Sequence, residues 1–164
     1  SPTRRSSDLM AVGMALAERL DPKHHYRVYA VLGDGECNSG QIWEAAMTAA
    51  KYGLDNLLAI VDRNRLQVDG FCAEVMPTEP LAEKWRAFGW HALEADGHDI
   101  AELIEAVRAA QAFQGGPSVL IARTVKGKGV SFMEDKQEWH SARITPELAE
   151  IAFNEIGNER GRIV

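Results

Sequence analysis

The sequence predicts an α/β fold, a three-layer α/β/α arrangement around a mostly parallel sheet. Short apolar runs typical of buried strands alternate with longer segments whose apolar residues recur at helical spacing. Strands that alternate with helices generally form a parallel sheet with helices on both faces. The length of 164 residues agrees with one domain that buries a core of its own.

The predicted elements follow one another in a regular order. The predicted strands are apolar runs bounded by turn residues, at 28–32, 57–61, 92–95 and 118–124. The predicted helices have one apolar face and lie at 9–20, 39–52, 81–88, 99–113 and from 145 onwards. The first strand is apolar throughout, so we expect both of its faces to be buried.

Capping residues set the predicted ends of these helices. Asn38 with Gln41 three residues later resembles a capping box for the second helix, and Gly53 is typical of the position after a helix. Asp99 is the predicted N-cap of the fourth helix, and Pro146 the predicted first residue of the last.

The N-terminal segment admits two interpretations. Residues 1–8 are polar and contain two arginines, and the apolar stretch 9–17 follows them, a pattern that resembles a secretory signal peptide. The alternative, which we favour, is a buried helix capped by Ser7 or Asp8. We therefore expect residues 1–8 to be an atypical, disordered leader and residues 9–164 to form the domain.

Composition and charge exclude several classes of protein. Hydrophobic residues make up 46% and charged residues 26%, which is ordinary for a globular protein. The net charge of −6 argues against a nucleic-acid or anionic-membrane surface. No apolar run reaches the roughly 18 residues of a membrane span. Two cysteines, Cys37 and Cys72, lack zinc-binding or CxxC spacing, so we expect a reduced, cytoplasmic protein.

Polar residues follow the first two strands at their carboxyl ends. Gly33-Asp34-Gly35 follows the first strand, and Asn64 follows the second. Open α/β sheets bind ligands at this edge, and carboxylate and amide oxygens suit Mg²⁺ with phosphate oxygens completing its coordination. Gly35 would let a ligand approach the backbone just before a helix. The pattern therefore indicates a metal–diphosphate site.

Other interpretations of these residues stay open at this point. Gly-Asp-Gly alone is a common turn, and Asp62 is equally a turn residue. Neither GxGxxG nor a Walker A sequence is present, so the dinucleotide and P-loop alternatives lack their motifs. The pair Asp62 and Asn64 suggests an EF-hand, but Leu66 occupies its third ligand position.

The segment from Gly33 to Gly70 resembles the thiamine-diphosphate motif of transketolases, in which GDG is followed some thirty residues later by Asn. The resemblance continues through FGW at 88–90, DGHD at 96–99 and TVKGKGVSFM at 124–133, and it ends near His140. It covers roughly residues 10–145. It implies a thiamine-diphosphate-binding fold, the diphosphate-binding domain, and KGKGVSFM is most similar to separately encoded N-terminal subunits of some bacteria and archaea.

The transketolase resemblance implies roles for individual residues. Asp34 and Asn64 would hold Mg²⁺ through side-chain oxygens, and Leu66 through its backbone carbonyl. The residues implied to contact thiamine diphosphate are Gly33, Asp34, Gly35, Glu36, Asn64, Leu66 and His140. The implied catalytic residues are His140, near cofactor and substrate, and Glu44, in a carboxylate network between active sites.

Some residues are assigned differently or depart from the family. His98 is interpreted as part of a turn, and Lys126 and Lys128 either help to hold an anion or form a solvated basic loop. Ser39 stands where the family usually has Glu, and Ser141 where it usually has Gly. Family members also have a long N-terminal segment with sugar-binding histidines, so we expect a chain that is truncated in front or joined to a foreign leader.

The resemblance implies an enzyme part: the half of a transketolase that binds the cofactor diphosphate and moves a two-carbon ketol unit between sugar phosphates. Alternatives are another thiamine-diphosphate enzyme, such as 1-deoxy-xylulose-5-phosphate synthase, or a non-catalytic remnant that binds Mg²⁺-diphosphate. The implied partner is a C-terminal pyrimidine-binding transketolase subunit, in a dimer or heterotetramer. We expect the 39–52 helix, with Ile42 and Trp43, to contribute to a subunit interface, and neither nucleic acid nor membrane to bind.

Overall fold

A computed structural model of the chain describes residues 7–21 and 23–160. The strands are β1 (Val28–Gly33), β2 (Leu57–Arg63), β3 (Leu66–Gln67), β4 (Gly70–Phe71), β5 (His91–Asp96) and β6 (Ser118–Arg123). The helices are α1 (Ser7–Leu20), α2 (Gly40–Lys51), α3 (Cys72–Val75), α4 (Leu81–Ala87), α5 (Ile100–Ala112) and α6 (Pro146–Arg160). Single 3₁₀ turns lie at Gly35–Asn38 and Gln137–His140.

Four strands form one parallel sheet, which confirms the predicted fold class. The order is β1-β2-β6-β5, so β6 lies between β2 and β5 although it comes last in the chain. The register pairs Gly33 with Asp62 at the carboxyl ends of β1 and β2. The two polar segments singled out in the sequence are therefore neighbours. β3 and β4 form a separate antiparallel ribbon next to them.

Helices cover both faces of the sheet, because alternate residues of the central strands point to opposite sides. In β2, Leu57, Ala59 and Val61 belong to the larger core cluster, which also takes in buried residues of α1, α2 and α4. Leu58 of β2 and Leu120 of β6 belong to a smaller cluster that packs against α5. The prediction of a three-layer α/β/α architecture is thus confirmed.

The prediction that both faces of β1 are buried is wrong. Val28 and Leu32 are buried, but Val31 is 70% exposed and Tyr29 is 47% exposed. The reason is the strand order: α5 packs on β5 and β6, and β1 lies at the other edge of the sheet. Apolar composition alone did not distinguish a central strand from an edge strand.

Four aromatic rings pack between α2, α4 and β5. Trp43 lies 5.1 Å from Trp85 and 5.0 Å from Phe88, measured between ring centroids, and Trp85 lies 4.8 Å from Trp90. Trp43 Nε1 also donates to the backbone carbonyl of Cys37 at 2.8 Å. Trp43 and the buried Ile42 thus find apolar partners inside the chain, so their size alone does not require a subunit interface.

Three of the predicted helix-capping residues have the predicted role, and one does not. Asp99 accepts from the backbone N–H groups of Ala101 and Glu102, and Pro146 begins α6, as predicted. Gly53, after α2, has a φ of +56°, the left-handed conformation that glycine favours. The predicted capping box at Asn38 is wrong, because Ser39 occupies the N-cap position. The Asn38 side chain donates instead to the backbone carbonyl of Met76.

The N-terminal helix packs against the sheet. α1 begins at Ser7, and Ala11, Val12 and Ala15 are buried in the larger core cluster, as the helix interpretation requires. The rest of the leader, residues 1–6, lies outside the described residues. Throughout 7–21 and 23–160, every helix is too short or too polar to cross a bilayer.

Candidate functional site

The candidate site lies at the carboxyl edge of the sheet, where β1 and β2 end side by side. Asp34 follows β1, and its backbone N–H donates to the carbonyl of Asp62 in β2 at 3.2 Å. Residues 64–66 follow β2, and we call them the β2 loop. They return toward Asp34 and include the first residue of β3. One strand–helix–strand unit therefore brings the predicted ligand residues together.

Asp34 is a buried carboxylate held by backbone donors. Its side chain is 2% exposed; Oδ1 accepts from Gly35 N at 2.8 Å and Oδ2 from Arg65 N at 2.6 Å. Burial raises the pKa of Asp34, and the nearby Asp62 carboxylate raises it further, while the bonds from Arg65 and Gly35 lower it. None of the ion pairs among the described residues involves Asp34.

Asn64 is fixed in the same loop. Its Oδ1 accepts from Leu66 N at 3.0 Å, and its Nδ2 donates to Asp62 Oδ2 at 3.2 Å. The residue between them, Arg65, has a φ of +66°, which is uncommon for a residue with a side chain. These bonds set the amide orientation of Asn64, and the bond from Arg65 N holds the β2 loop against Asp34.

The donor set fits a divalent cation. A buried carboxylate without a cationic partner is costly, and a bound cation would relieve that cost. Asp34 and Asn64 supply the hard oxygen ligands that Mg²⁺ prefers, and phosphates or water complete its shell in most proteins. Within the described residues, no cluster of three or more His, Cys, Asp or Glu side chains is arranged to hold a metal. A cation at this edge would therefore also need amide and backbone oxygens.

The position after Asp34 has no room for a side chain, so it is occupied by glycine, Gly35. A Cβ at Gly35 would lie 2.7 Å from Cγ of Gln67, which is too close for an ordinary contact. Glu36, also expected near the cofactor, turns back instead: its Oε2 accepts from Gly33 N at 3.1 Å. Gly33, Asp34, Gly35 and Glu36 thus form one compact turn after β1.

A cleft of about 310 Å³ opens beside Asp34. The residues that line it are Asp34, Arg63, Arg65, Phe71, Cys72, Ala73, Glu74, Pro77, Thr78 and Glu79. Cys72, which the sequence marked only as a thiol, is buried there, and its backbone N–H donates to the carbonyl of Arg65 at 2.8 Å. Burial raises the pKa of the Cys72 thiol. No motif could have assigned it to the site, because Asp34, the predicted ligand residue that lines the same cleft, is distant in sequence.

The two predicted catalytic residues do not contact Asp34 or Asn64. Glu44 is exposed on α2, and His140 is exposed at the end of the second 3₁₀ turn. In the part of the chain that the structure describes, neither forms a hydrogen bond or ion pair with Asp34 or Asn64. The 3₁₀ turn itself is attached to the ribbon, since Gln137 Nε2 donates to the Val68 carbonyl at 2.8 Å.

The segment after β6, residues 124–136, is called the β6 loop here, and it joins the same edge of the sheet. Thr124 Oγ1 donates to Asp62 Oδ1, an unexpected contact between the β6 loop and the carboxyl end of β2. His98 lies in the predicted turn, where its N–H donates to Asp96 Oδ1, and its Nε2 accepts from Val125 N at 2.8 Å. Lys128 Nζ lies 3.0 Å from Glu134 Oε1 within the loop.

Comparison with known protein families identifies the family of the domain that contains this site. Residues 10–159 match the family described as "Transketolase, thiamine diphosphate binding domain". The chain belongs to this transketolase family. The match includes both loops and all six residues from Gly33 to Leu66 that the sequence pointed to as cofactor or metal contacts.

Curated transketolase relatives align over most of this chain. The 6-deoxy-6-sulfo-D-fructose transketolase subunit SqwG of Clostridium sp. is 47% identical over 149 residues, which are 91% of this chain and 54% of that protein. An apulose-4-phosphate transketolase subunit from Phocaeicola vulgatus is 45% identical over 90% of this chain and 52% of that protein. Human transketolase is 40% identical over 89% of this chain and 23% of its own length. The chain thus spans about half the length of the two bacterial relatives.

Solved transketolase structures have the same fold. The enzyme from Campylobacter jejuni superposes with a TM-score of 0.83 at 26% identity, over 93% of this chain and 24% of that one. The Pichia stipitis transketolase in complex with sedoheptulose-7-phosphate superposes with a TM-score of 0.80 at 25% identity, over 93% of this chain and 23% of that one. The predicted thiamine-diphosphate-binding fold is confirmed.

Proposed function

We propose that this chain is the diphosphate-binding part of a transketolase, which transfers a two-carbon ketol unit between sugar phosphates. The observation that carries the proposal is the buried Asp34 carboxylate, which has no cationic partner among the described residues and lies against the β2 loop with Asn64. This donor set occurs within a domain of the transketolase family. Bound thiamine diphosphate would supply the electron sink for breaking a bond next to a carbonyl.

The proposed role of the site is to hold the cofactor by its charged end. Asp34 and Asn64 would bind Mg²⁺ through Oδ atoms, and Leu66 through its carbonyl oxygen. The Gly33–Glu36 turn, which lies beside Asp34 at the same edge of the sheet, would approach the diphosphate. Because the backbone N–H groups of Gly35 and Arg65 already orient the carboxylate, little reorganisation would be needed on binding.

We propose the remaining family roles for His140 and Glu44 in the assembled enzyme. Both side chains are exposed, which leaves them available to a cofactor, a substrate or a second subunit. Glu44 lies on α2 near Met47, which is 52% exposed, so this outer side of α2 is our proposed interface. The Ser39 and Ser141 departures would alter the surroundings of the cofactor and of His140.

The proposed partner is a C-terminal pyrimidine-binding transketolase subunit, in a dimer or heterotetramer. Two relatives are themselves named as transketolase subunits, and this chain spans about half of each. Their names refer to 6-deoxy-6-sulfo-D-fructose and apulose-4-phosphate, so we propose a sugar phosphate or a similar acidic ketose as donor. Cys37 and Cys72 are not joined in a disulfide, which agrees with a proposed cytoplasmic location.

A coupled assay of ketol transfer tests the function. Purified chain with Mg²⁺ and thiamine diphosphate should show no turnover alone, because catalysis requires cofactor, proton-transfer group and sugar to be held together. Adding a matching pyrimidine-binding subunit should produce turnover. Turnover near ~1 s⁻¹, an ordinary enzyme rate, without any partner would contradict this division of labour.

Titration calorimetry of thiamine diphosphate separates an enzyme part from a scaffold. Binding should require Mg²⁺, and Asp55→Asn should bind like wild type, because Asp55 follows α2 near the amino end of β2 and pairs with Arg19. Absence of Mg²⁺-dependent binding both alone and with the partner subunit would favour a non-catalytic assembly role.

A further inference from the structure

Two residues of the described chain combine a side chain with a positive φ, and they contact each other. Arg65 in the β2 loop has a φ of +66°, and Asp135 in the β6 loop has a φ of +56°. A nitrogen of the Arg65 guanidinium lies 3.6 Å from Asp135 Oδ2. Residues with a Cβ seldom adopt this conformation, and it persists where the surrounding structure imposes it. Both strained positions therefore belong to one contact between the loops.

The conformation of Arg65 serves the candidate cation site. It directs the Arg65 N–H to Asp34 Oδ2 at 2.6 Å, while the Arg65 carbonyl accepts from Cys72 N at 2.8 Å. The residues on either side of Arg65 are bonded to each other, because Leu66 N donates to Asn64 Oδ1. A change in the Arg65 backbone would thus move the donor that orients the carboxylate.

The conformation of Asp135 closes the β6 loop. Its N–H donates to the Lys126 carbonyl at 2.8 Å, which joins the two ends of the loop. Gly127 follows with a φ of +69°, and a Cβ there would lie 2.7 Å from atoms of Met133, so the loop is tightly folded. The side chain of Asp135 therefore projects from a defined position rather than from a free end.

The β6 loop is also attached to β2 at its start. Thr124 N donates to the Arg63 carbonyl at 3.2 Å, and Thr124 Oγ1 donates to Asp62 Oδ1. Asp62 in turn accepts from Asn64 at its other oxygen. With the Arg65–Asp135 contact near its other end, the β6 loop is attached at both ends to the segment 62–65, which contains Asn64.

We propose that the Arg65–Asp135 ion pair is a positioning contact, which holds the backbone of the β2 loop so that Arg65 N–H orients the Asp34 carboxylate. The expected effect of this ion pair on ligand binding rests on the proposed function, whereas the coupling between the loops does not. Asp135 itself forms no hydrogen bond or ion pair with Asp34 or Asn64 among the described residues. Its replacement would therefore act on the cation site only through Arg65.

Amide hydrogen exchange measured by NMR on the ligand-free chain tests the contact. Asp135→Asn removes the charge, and asparagine tolerates the left-handed conformation. Arg65→Gln removes the other charge. Each variant should speed exchange at the Arg65 amide and at the Asp135 amide by about two- to fivefold, the range of an exposed ion pair. Unchanged exchange at Arg65 in Asp135→Asn would overturn the proposal.

A matched control and a double variant give the test its specificity. Glu94→Gln removes two surface ion pairs of similar exposure, one to Arg123 at the same 3.6 Å and one to Arg86 at 4.0 Å, and it should leave both amides unchanged. Arg65→Gln with Asp135→Asn should exchange no faster than the faster single variant, because the two charges act through each other. Additive effects, or an equal effect of Glu94→Gln, would refute a specific contact.

Calorimetry then connects the contact to the ligand. Asp135→Asn should weaken binding of Mg²⁺ with thiamine diphosphate by a similar two- to fivefold, again the range of an exposed pair. If wild type does not bind this ligand, the proposed function fails while the exchange data still decide the coupling. If exchange rises but affinity is unchanged, the loops are coupled and the positioning role is wrong.

Discussion

Replacing Asp34 by asparagine is the most direct perturbation of the candidate site. The side chain keeps its shape, but it loses its charge and one acceptor, because the new amide group faces one of the two backbone N–H donors, Gly35 N or Arg65 N. A buried donor left without a partner costs about 1–3 kcal/mol. Loss of the buried charge offsets part of this cost, since burial raises the pKa of Asp34. We therefore expect a folded protein with stability lowered by at most about 3 kcal/mol.

The effect on ligand binding should be much larger than the effect on folding. Removing one partner of a buried charge pair costs about 3–5 kcal/mol. At about 1.4 kcal/mol for each tenfold change, this corresponds to a roughly 100- to 4,000-fold weaker Kd for Mg²⁺ with thiamine diphosphate. Asp34→Ala should lose binding as well, with a larger loss of stability because both backbone donors are left without their acceptor.

Titration calorimetry together with thermal unfolding measures the two effects separately. Asp55→Asn is the control, because it neutralises a partly exposed carboxylate that pairs with Arg19. Wild-type affinity in Asp34→Asn would refute the assignment of this carboxylate to the cation. A variant that is unfolded at room temperature would refute the argument that binding and folding costs differ.

Three further predictions test how the loops, the core and α6 pack. Gly97→Ala should lower the free energy of unfolding in denaturant by about 1–3 kcal/mol, as expected for overpacking, because the new Cβ would lie 2.3 Å from Thr124 Cγ2. In the control, Gly157→Ala, the new Cβ meets no atom within 4 Å, so this variant should not destabilise the fold. Trp85→Ala should cost about 3–5 kcal/mol in the same measurement, since Trp85 is 1% exposed among Trp43 and Trp90; a loss below about 1 kcal/mol would contradict the described core. Hydrogen bonds from Ser131 lower the pKa of Glu155, so the attachment of α6 should be complete above the ordinary glutamate pKa of about 4.3 and lost as pH falls through the lower folded value. Protection factors of the α6 amides, which correct for the intrinsic pH dependence of exchange, should fall over that window, and in Glu155→Gln they should be low and constant there.

The sequence was most informative where the determining interactions are local. The strand ending in Gly33-Asp34-Gly35 and the Asp99 cap depend on neighbouring residues, and both have the predicted structure. The placement of Asp34 beside Asn64 followed from one assumption, that consecutive parallel strands are neighbours, and the register confirms it. The family resemblance added the cofactor, which spacing alone left open.

The features that the sequence did not predict depend on packing between distant segments. The position of β6 between β2 and β5, and hence the exposure of Val31, depends on the arrangement of the whole sheet. The β3–β4 ribbon has two residues in each strand, too few for a periodic pattern. The left-handed conformation of Arg65 could not be predicted either, since arginine has no preference for it and the groups that Arg65 contacts, Asp34 and Asp135, are distant in the chain.

The strand order also has a consequence for the order of folding. The proposed cation ligands all belong to the β1–α2–β2 unit and the β2 loop, in which Val28 pairs with Leu57. Inserting β6 pairs Leu58 with Ser118, so about twice as much chain must be brought together before those hydrogen bonds form. The β5–β6 pairing of His91 with Ser118 is as local as that of β1 with β2. Because loop closure must precede the contacts that stabilise it, we expect the unit that contains Asp34 and Asn64 to be one of two local units that form early. A divalent cation that binds there would stabilise an early part of the folding pathway as well as the native fold.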